Sequence, residues 1–329
     1  KKNLPVRYKT DILVVGGGPS GVAAAVTAAR KGKRVMIIEN NGCFGGEGTT
    51  ALVPSFAQFT DGKDFLIGGI GREIRDLTIG EYCDFKRGFY TFSVEKLKRV
   101  YDKLVTNEKN INFLFFTKMV DVVSHGDHVD YVVAASKFGL FAIKADIYID
   151  CTGDGDLCFY AGADMGEGRE EDGITMPVTL GFALAGVDEE RLFTEFYDQQ
   201  NGGDMVGETI LRAEADGYAV SPWYSFDRTT IPGVVSVNNG GLKQVGKLNA
   251  LNPEDATFGE RAGIQIAIDF VRFARKYKLP GLENCYLDRT GAAIGVRETR
   301  RAMGDYVLTF EDAQSKADFP EPVAKRYGA

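Results

Sequence analysis

Short apolar runs alternate with amphipathic stretches along the first half of the chain, the pattern of buried strands joined by helices. Residues 11–15 (DILVV) end at Gly16 and predict a strand buried on both faces. Residues 20–31 follow as a small-residue helix, with Val22, Val26 and Ala29 at helical spacing and Gly32 just past the end. A second strand is predicted over 34–38. Ser93 is placed to cap a helix whose stripe is Val94, Leu97, Tyr101, Leu104 and Val105, ending near Asn107. The pattern then predicts one strand over 111–123, a surface hairpin of 128–135 and 140–144 turning at Phe138-Gly139, a strand over 145–149, and a helical LCFYAGA.

From about Gly166 the texture changes to polar, glycine-rich connections. A strand is predicted at 178–185 and helices at 189–197 and 253–277, the last with Phe258, Ala262, Ile266, Phe270 and Phe273 on one side. The chain therefore divides into residues 1–165, 166–290 and a return segment 291–329.

Between the first strand and helix, Gly16, Gly18 and Gly21 form G-x-G-x-x-G. Gly16 permits the tight turn, Gly18 lets backbone approach a pyrophosphate, and Gly21 lets the helix lie against the strand. The helix N-terminus, with Pro19 and Ser20, favours the anion. The second strand runs into Glu39, placed to hold ribose hydroxyls and to disfavour a 2′-phosphate. This is a dinucleotide site in its required strand-turn-helix context.

Composition narrows the class. The 329 residues allow about two domains, and 40 glycines with 44% hydrophobic residues give a globular chain rich in turns. A formal charge of −7 is the wrong sign for nucleic acid. Five scattered cysteines match no zinc, iron-sulfur or other metal pattern and point to a reducing compartment. No apolar run reaches the roughly 18 residues of a bilayer span, and the opening residues hold no signal-like segment. The expectation is a cytoplasmic protein with no membrane partner.

After Glu39 comes Asn40 and a second glycine cluster with Gly45, Gly46 and Thr49, where a plain NAD domain would enter its next helix. It resembles the "E…GG…T" segment of flavoproteins of the glutathione-reductase fold; the bland alternative for the stretch alone is an ordinary loop. Thr152-Gly153-Asp154, within DCTGDGD, resembles the "ATGDGD" signature of the FAD-dependent oxidoreductases grouped with the heterodisulfide reductase A-like proteins. Read alone it is a capped turn, and a calcium loop is weaker because the Glu at position 12 is missing. The resemblance continues through residues 238–240, through GVRETRR at 295–301 and through GDYVLT at 304–309.

The resemblance implies an α/β fold: a Rossmann-like FAD-binding domain of glutathione-reductase type with an inserted α+β substrate domain. It implies FAD as cofactor, with backbone near Val120 against the adenine. Family members continue into a further strand and helix, whereas this sequence stops at Tyr327-Gly328-Ala329, so the C-terminal closing segment is expected to be missing.

Cys43 has no cysteine close by, and no second G-x-G-x-x-G follows, which argues against an NAD(P)H-disulfide reductase. The chemistry expected is hydride transfer between a small organic substrate, anionic or hydroxylated, and flavin N5. Arg297 and Arg301, one helical turn apart, are the candidates for binding its anionic group. The same RETRR is otherwise a solvated ion-pair face around Glu298. His125 and His128 read as loop residues, Trp223 as packing or stacking, and no tyrosine can be singled out as a base, so the catalytic residues stay open. Rival readings are an FAD-binding subunit serving an electron-transfer partner, or a flavin-dependent tRNA-modifying protein; a homo-oligomer is compatible with any of them.

Overall fold

The chain opens with β1 (Val6–Val15), α1 (Pro19–Arg30) and β2 (Val35–Ile38), the strand-turn-helix-strand unit that the glycine pattern demands. The computed structural model describes residues 4–53, 55–56, 59, 65–84, 89–197, 204–241, 248–315 and 319. β3 (Ser55–Phe56), α2 (Gly69–Thr78), β4 (Ile79–Asp84) and β5 (Phe89–Phe92) form a side unit with its own three-stranded sheet. There follow α3 (Val94–Thr106), β6 (Ile111–Leu114), β7 (Lys118–His125), β8 (His128–Ser136), β9 (Gly139–Asp150) and α4 (Asp156–Tyr160).

The main sheet has the order β6-β2-β1-β9-β8-β7. β1 lies between β2 and β9, parallel to both, and β6 extends the parallel part. Because β1 is covered on both faces, its last residues are apolar without alternation. Val14, Val22, Val26, Ile37, Leu97 and Tyr101 pack beneath α1 and α3. Leu13, Val15, Met36 and Ile38 face the other way, against Val122, Val132, Phe141 and Ile143.

Two sequence expectations are corrected here. The strand expected over 111–123 is two strands: the chain breaks at Phe116, whose φ of 51° no strand can accommodate. β6 then ends its parallel pairing before β7 begins an antiparallel one with β8. Conversely, the segments 140–144 and 145–149 are one continuous strand. β9 pairs with β8 through its first half and with β1 through its second, so the supposed surface ribbon belongs to the main sheet. The exposed Lys144 sits on the outward face of an alternating strand and does not mark its end.

The second half contains β10 (Met165–Glu167), β11 (Phe182–Ala185), a single turn α5 (Glu189–Arg191) running into a π-helical turn at Leu192–Phe196, and α6 (Asp204–Ala215). β12 (Tyr224–Arg228), β13 (Val234–Asn239), α7 (Pro253–Lys276), β14 (Tyr286–Thr290), β15 (Arg300–Ala302) and α8 (Phe310–Ser315) complete the described elements. An antiparallel sheet, β12-β13-β11-β14, packs Phe182, Phe226 and Val237 against Ile266, Phe270 and Phe273 of α7 as a separate core.

Phe258, expected on the buried side of α7, is 49% exposed. Gly259 and Gly263 face inward in its place, and a Cβ at Gly263 would lie 2.6 Å from the Leu180 side chain. The helix approaches residues 178–180 too closely for a phenyl ring. The expected strand over 178–185 is regular only from Phe182, with Thr179 making one isolated bridge to Gly295. β15 pairs antiparallel with β10, Gly166 opposite Arg301, so the segment expected to place Arg297 and Arg301 on one helix face is extended instead. Among the described residues no helix is long and apolar enough to cross a membrane.

Candidate active site

A cleft of about 570 Å³ opens at the carboxyl ends of β1, β2 and β9, where ligands bind in open α/β sheets. Its floor is the turn after β1. Gly16 has φ of 102°, and a Cβ there would stand 2.2 Å from the Cys151 carbonyl oxygen; one at Gly21 would stand 1.9 Å from the Gly16 carbonyl. These two glycines are required by the packing of the chain against itself. Gly18 is different: a Cβ there meets nothing within 4 Å, yet the residue lines the cleft. It is also the N-cap of α1, makes no side-chain cap, and leaves the first amides of a 12-residue helix directed at the opening.

Glu39 is 7% exposed and fixes the edge of this floor. Its carboxylate accepts hydrogen bonds from the Gly17 amide at 2.6 Å and from the Asn41 amide and side chain at 2.7 and 2.9 Å. Each carboxylate oxygen has more than one acceptor site, so capacity remains for a hydroxyl from the cleft. Across the opening, Asp150 holds the turn after β9, accepting from the Thr152 amide and hydroxyl and from the Cys158 amide. Asp154 accepts a 2.7 Å hydrogen bond from Thr299, tying that turn to the arginine segment. Cys151 lines the cleft, and burial pushes its thiol up, away from thiolate chemistry.

The three arginines of that segment have three different settings. Arg300, with a nearly buried side chain, pairs with Asp156, and its guanidinium lies 4.2 Å over the Phe159 ring. Arg301 turns outward to Glu298 and the Gly168 carbonyl and does not line the cleft. Arg297 does line it, with one neutral hydrogen bond, 3.3 Å to Asn238.

Of the residues singled out in the sequence, Gly16, Gly18, Pro19, Ser20, Glu39, Asn40, Gly46, Thr152, Gly153, Asp154 and Arg297 meet in this cleft. Gly21, Gly45 and Thr49 support it from behind: the Gly45 amide donates to the Gly17 carbonyl, and the Thr49 hydroxyl donates to Phe44. Val120 does not reach it. The β7 register shifts between Met119 and Asp121, and Thr117, Lys118 and Met119 line the wall instead.

Sequence reasoning passed over Glu47 and Thr50. Glu47 is the one charged residue in the run 40–53, which is the signal that could have found it. Thr50 lines the cleft, and its buried hydroxyl has no hydrogen-bond partner. An open glycine cradle, an uncapped helix N-terminus and a buried unpartnered hydroxyl fit a phosphate-bearing dinucleotide.

Residues 11–327 match the sequence pattern of the FAD dependent oxidoreductase family, and the chain belongs to that family, with FAD as its cofactor. It is 46% identical over 84 residues to the NADH oxidase of Thermoanaerobacter brockii, covering 25% of this chain and 13% of that one. It is 35% identical over 81 residues to the soluble pyridine nucleotide transhydrogenase of Chromohalobacter salexigens, covering 24% and 18%. The matched stretches thus span less than a fifth of either relative. In fold the chain is similar to p-nitrophenol 4-monooxygenase PnpA from Pseudomonas putida, with a TM-score of 0.51 at 13% identity over 86% of this chain and 67% of that one. A flavin-dependent monooxygenase, PieE, also gives 0.51 at 12% identity, over 87% and 49%.

Proposed function

We propose that the cleft holds FAD with its pyrophosphate over the turn of residues 16–21 and its adenosine ribose at Glu39. The flavin end then lies toward Glu47, Thr50 and Arg297, and a small anionic or hydroxylated organic substrate sits beyond it. The flavin supplies two-electron chemistry, exchanging hydride with the substrate at N5 as a dehydrogenase or oxidase does. Asn40, Gly46, Thr152, Gly153 and Asp154 line the dinucleotide's path.

The observation that carries this reading is the cleft's polarity. One end is a glycine floor with open space at Gly18, and the other presents a guanidinium held by a single neutral amide. A planar fork with donors to spare binds a carboxylate at two points. Asn238 and Thr179, next to Arg297, belong to the second half of the chain, which supports a division into a cofactor part (1–165), a substrate part (166–290) and a return segment (291–329).

A pyridine-nucleotide disulfide reductase is disfavoured. Cys43, Cys151, Cys158 and Cys285 are all free thiols, and the sequence has no second G-x-G-x-x-G. The test is Arg297→Lys and Arg297→Ala in the FAD-loaded protein. Flavin content stays at the native level, while bleaching of the flavin by a panel of small hydroxy acids slows at least tenfold in Arg297→Ala. Native bleaching in both variants contradicts the assignment.

A further inference from the structure

Four carboxylates line the cleft, and three are committed. Glu39 is held by amides, Asp154 by the Thr299 hydroxyl and Asp156 by Arg300. Glu47 is the fourth, and its side chain makes no hydrogen bond or ion pair among the described residues. It stands at the same end as Arg297, whose guanidinium has no carboxylate partner among the described residues.

Both residues also border a small cavity that continues the cleft toward Ala51, Thr179 and Asn238. The approach is close on the Glu47 side, where a Cβ added at Gly295 would lie 3.6 Å from Glu47 Oε1. Facing Glu47 are the positive charge of Arg297 and the like charge of Asp154. A carboxylate and a guanidinium that line the same cleft without pairing to each other both stay open to a ligand held in it.

We infer that Glu47 is the proton-holding side chain of the substrate end, working opposite Arg297 and taking up a proton when an anionic ligand binds. This rests on the reading of the cleft given above. Glu47 is exposed to solvent in the open cleft, yet partial desolvation by the walls raises its carboxyl from its ordinary value, and the Arg297 charge partly opposes that rise. A ligand anion seated on Arg297 brings a second negative charge beside Glu47 and raises its proton affinity further, so binding takes up a proton. By linkage, affinity for an anion must increase as pH falls.

The test is calorimetric titration of the FAD-loaded full chain with pyruvate, whose carboxylate stays ionised throughout, between about pH 8 and about pH 5, in two buffers of different ionisation enthalpy. Native protein is expected to bind more tightly toward low pH, with proton uptake. Glu47→Gln removes the charge, so its profile is flat and its affinity at the alkaline end rises about tenfold, the effect of one neighbouring charge. Arg297→Ala weakens binding at every pH. If Glu47→Gln keeps the native slope and affinity while Arg297→Ala loses binding, the Glu47 role is overturned and the cleft reading survives. A slope that survives in Glu47→Gln and vanishes in Asp154→Asn moves the role to Asp154 and overturns it as well. If Arg297→Ala binds pyruvate as the native protein does, the cleft reading itself fails and takes this inference with it.

Discussion

The two ends of the cleft are built on different principles. The dinucleotide end is made of backbone: Gly16 and Gly21 let β1, α1 and the end of β9 meet at distances no side chain tolerates, and Glu39 is locked by three N–H donors. The end proposed for the substrate is made of side chains from segments far apart in sequence, Glu47 and Thr50, Asn238, and Arg297. The first end takes its shape from the packing of backbone against backbone, with the α1 amides and part of the Glu39 carboxylate left for the cofactor. The second keeps hydrogen-bonding capacity unspent, as a site for exchangeable ligands requires.

That contrast predicts where substitutions act. Gly21→Ala has the largest effect, because its Cβ cannot fit 1.9 Å from the Gly16 carbonyl unless α1 moves off the turn. A loss of about 3 kcal/mol is expected together with loss of flavin, measured by thermal unfolding and absorbance. Native stability in this variant removes the backbone half of the comparison.

Arg300→Ala comes next. It leaves Asp156 partly buried without its partner, and a loss of about 2 kcal/mol is expected, reduced from the fully buried case because Asp156 is a quarter exposed. Burial already raises the Asp156 carboxyl, and removing Arg300 raises it further. A carboxyl whose folded pKa lies above its unfolded one favours folding at low pH. The deficit should therefore shrink as pH falls through the folded pKa of Asp156, and denaturant titration across pH would show it.

Glu39→Gln puts an amide donor against N–H groups that now donate to a carboxylate, and should weaken FAD binding by about 1–2 kcal/mol in an equilibrium titration. Arg301→Ala is the smallest. Arg301 is itself solvent-exposed and its partners are Glu298 and one carbonyl, so a change within about 0.5 kcal/mol is expected, with flavin content and substrate-driven bleaching unaltered. A loss of bleaching in Arg301→Ala would place the anion site on the wrong arginine.

The dinucleotide end was legible in the sequence because its determinants are contiguous: strand, three glycines, helix and acid all fall within residues 11–39. The other end was legible only in fragments. GVRETRR marked the segment that brings Arg297 to the cleft, but a helical reading tied Arg297 to Arg301, whereas the extended backbone around β15 sends the two to different surroundings. Thr117, Lys118 and Met119 line the wall where the resemblance implied backbone near Val120, and the register shift in β7 beside that residue cannot be seen in an alternating apolar pattern. The inward glycines of α7 replaced Phe258 for a reason only tertiary packing supplies, the close approach of residues 178–180.

The central claim is that the open space at Gly18 is filled by the FAD pyrophosphate. It is tested most directly by the flavin stoichiometry of purified Gly18→Val measured beside its apo-protein unfolding curve. Nothing in the protein stands within 4 Å of a Cβ there, so the fold should be as stable as the native apo protein while bound flavin falls to a small fraction of the native ratio. A Gly18→Val protein that carries flavin at the native ratio would contradict the account.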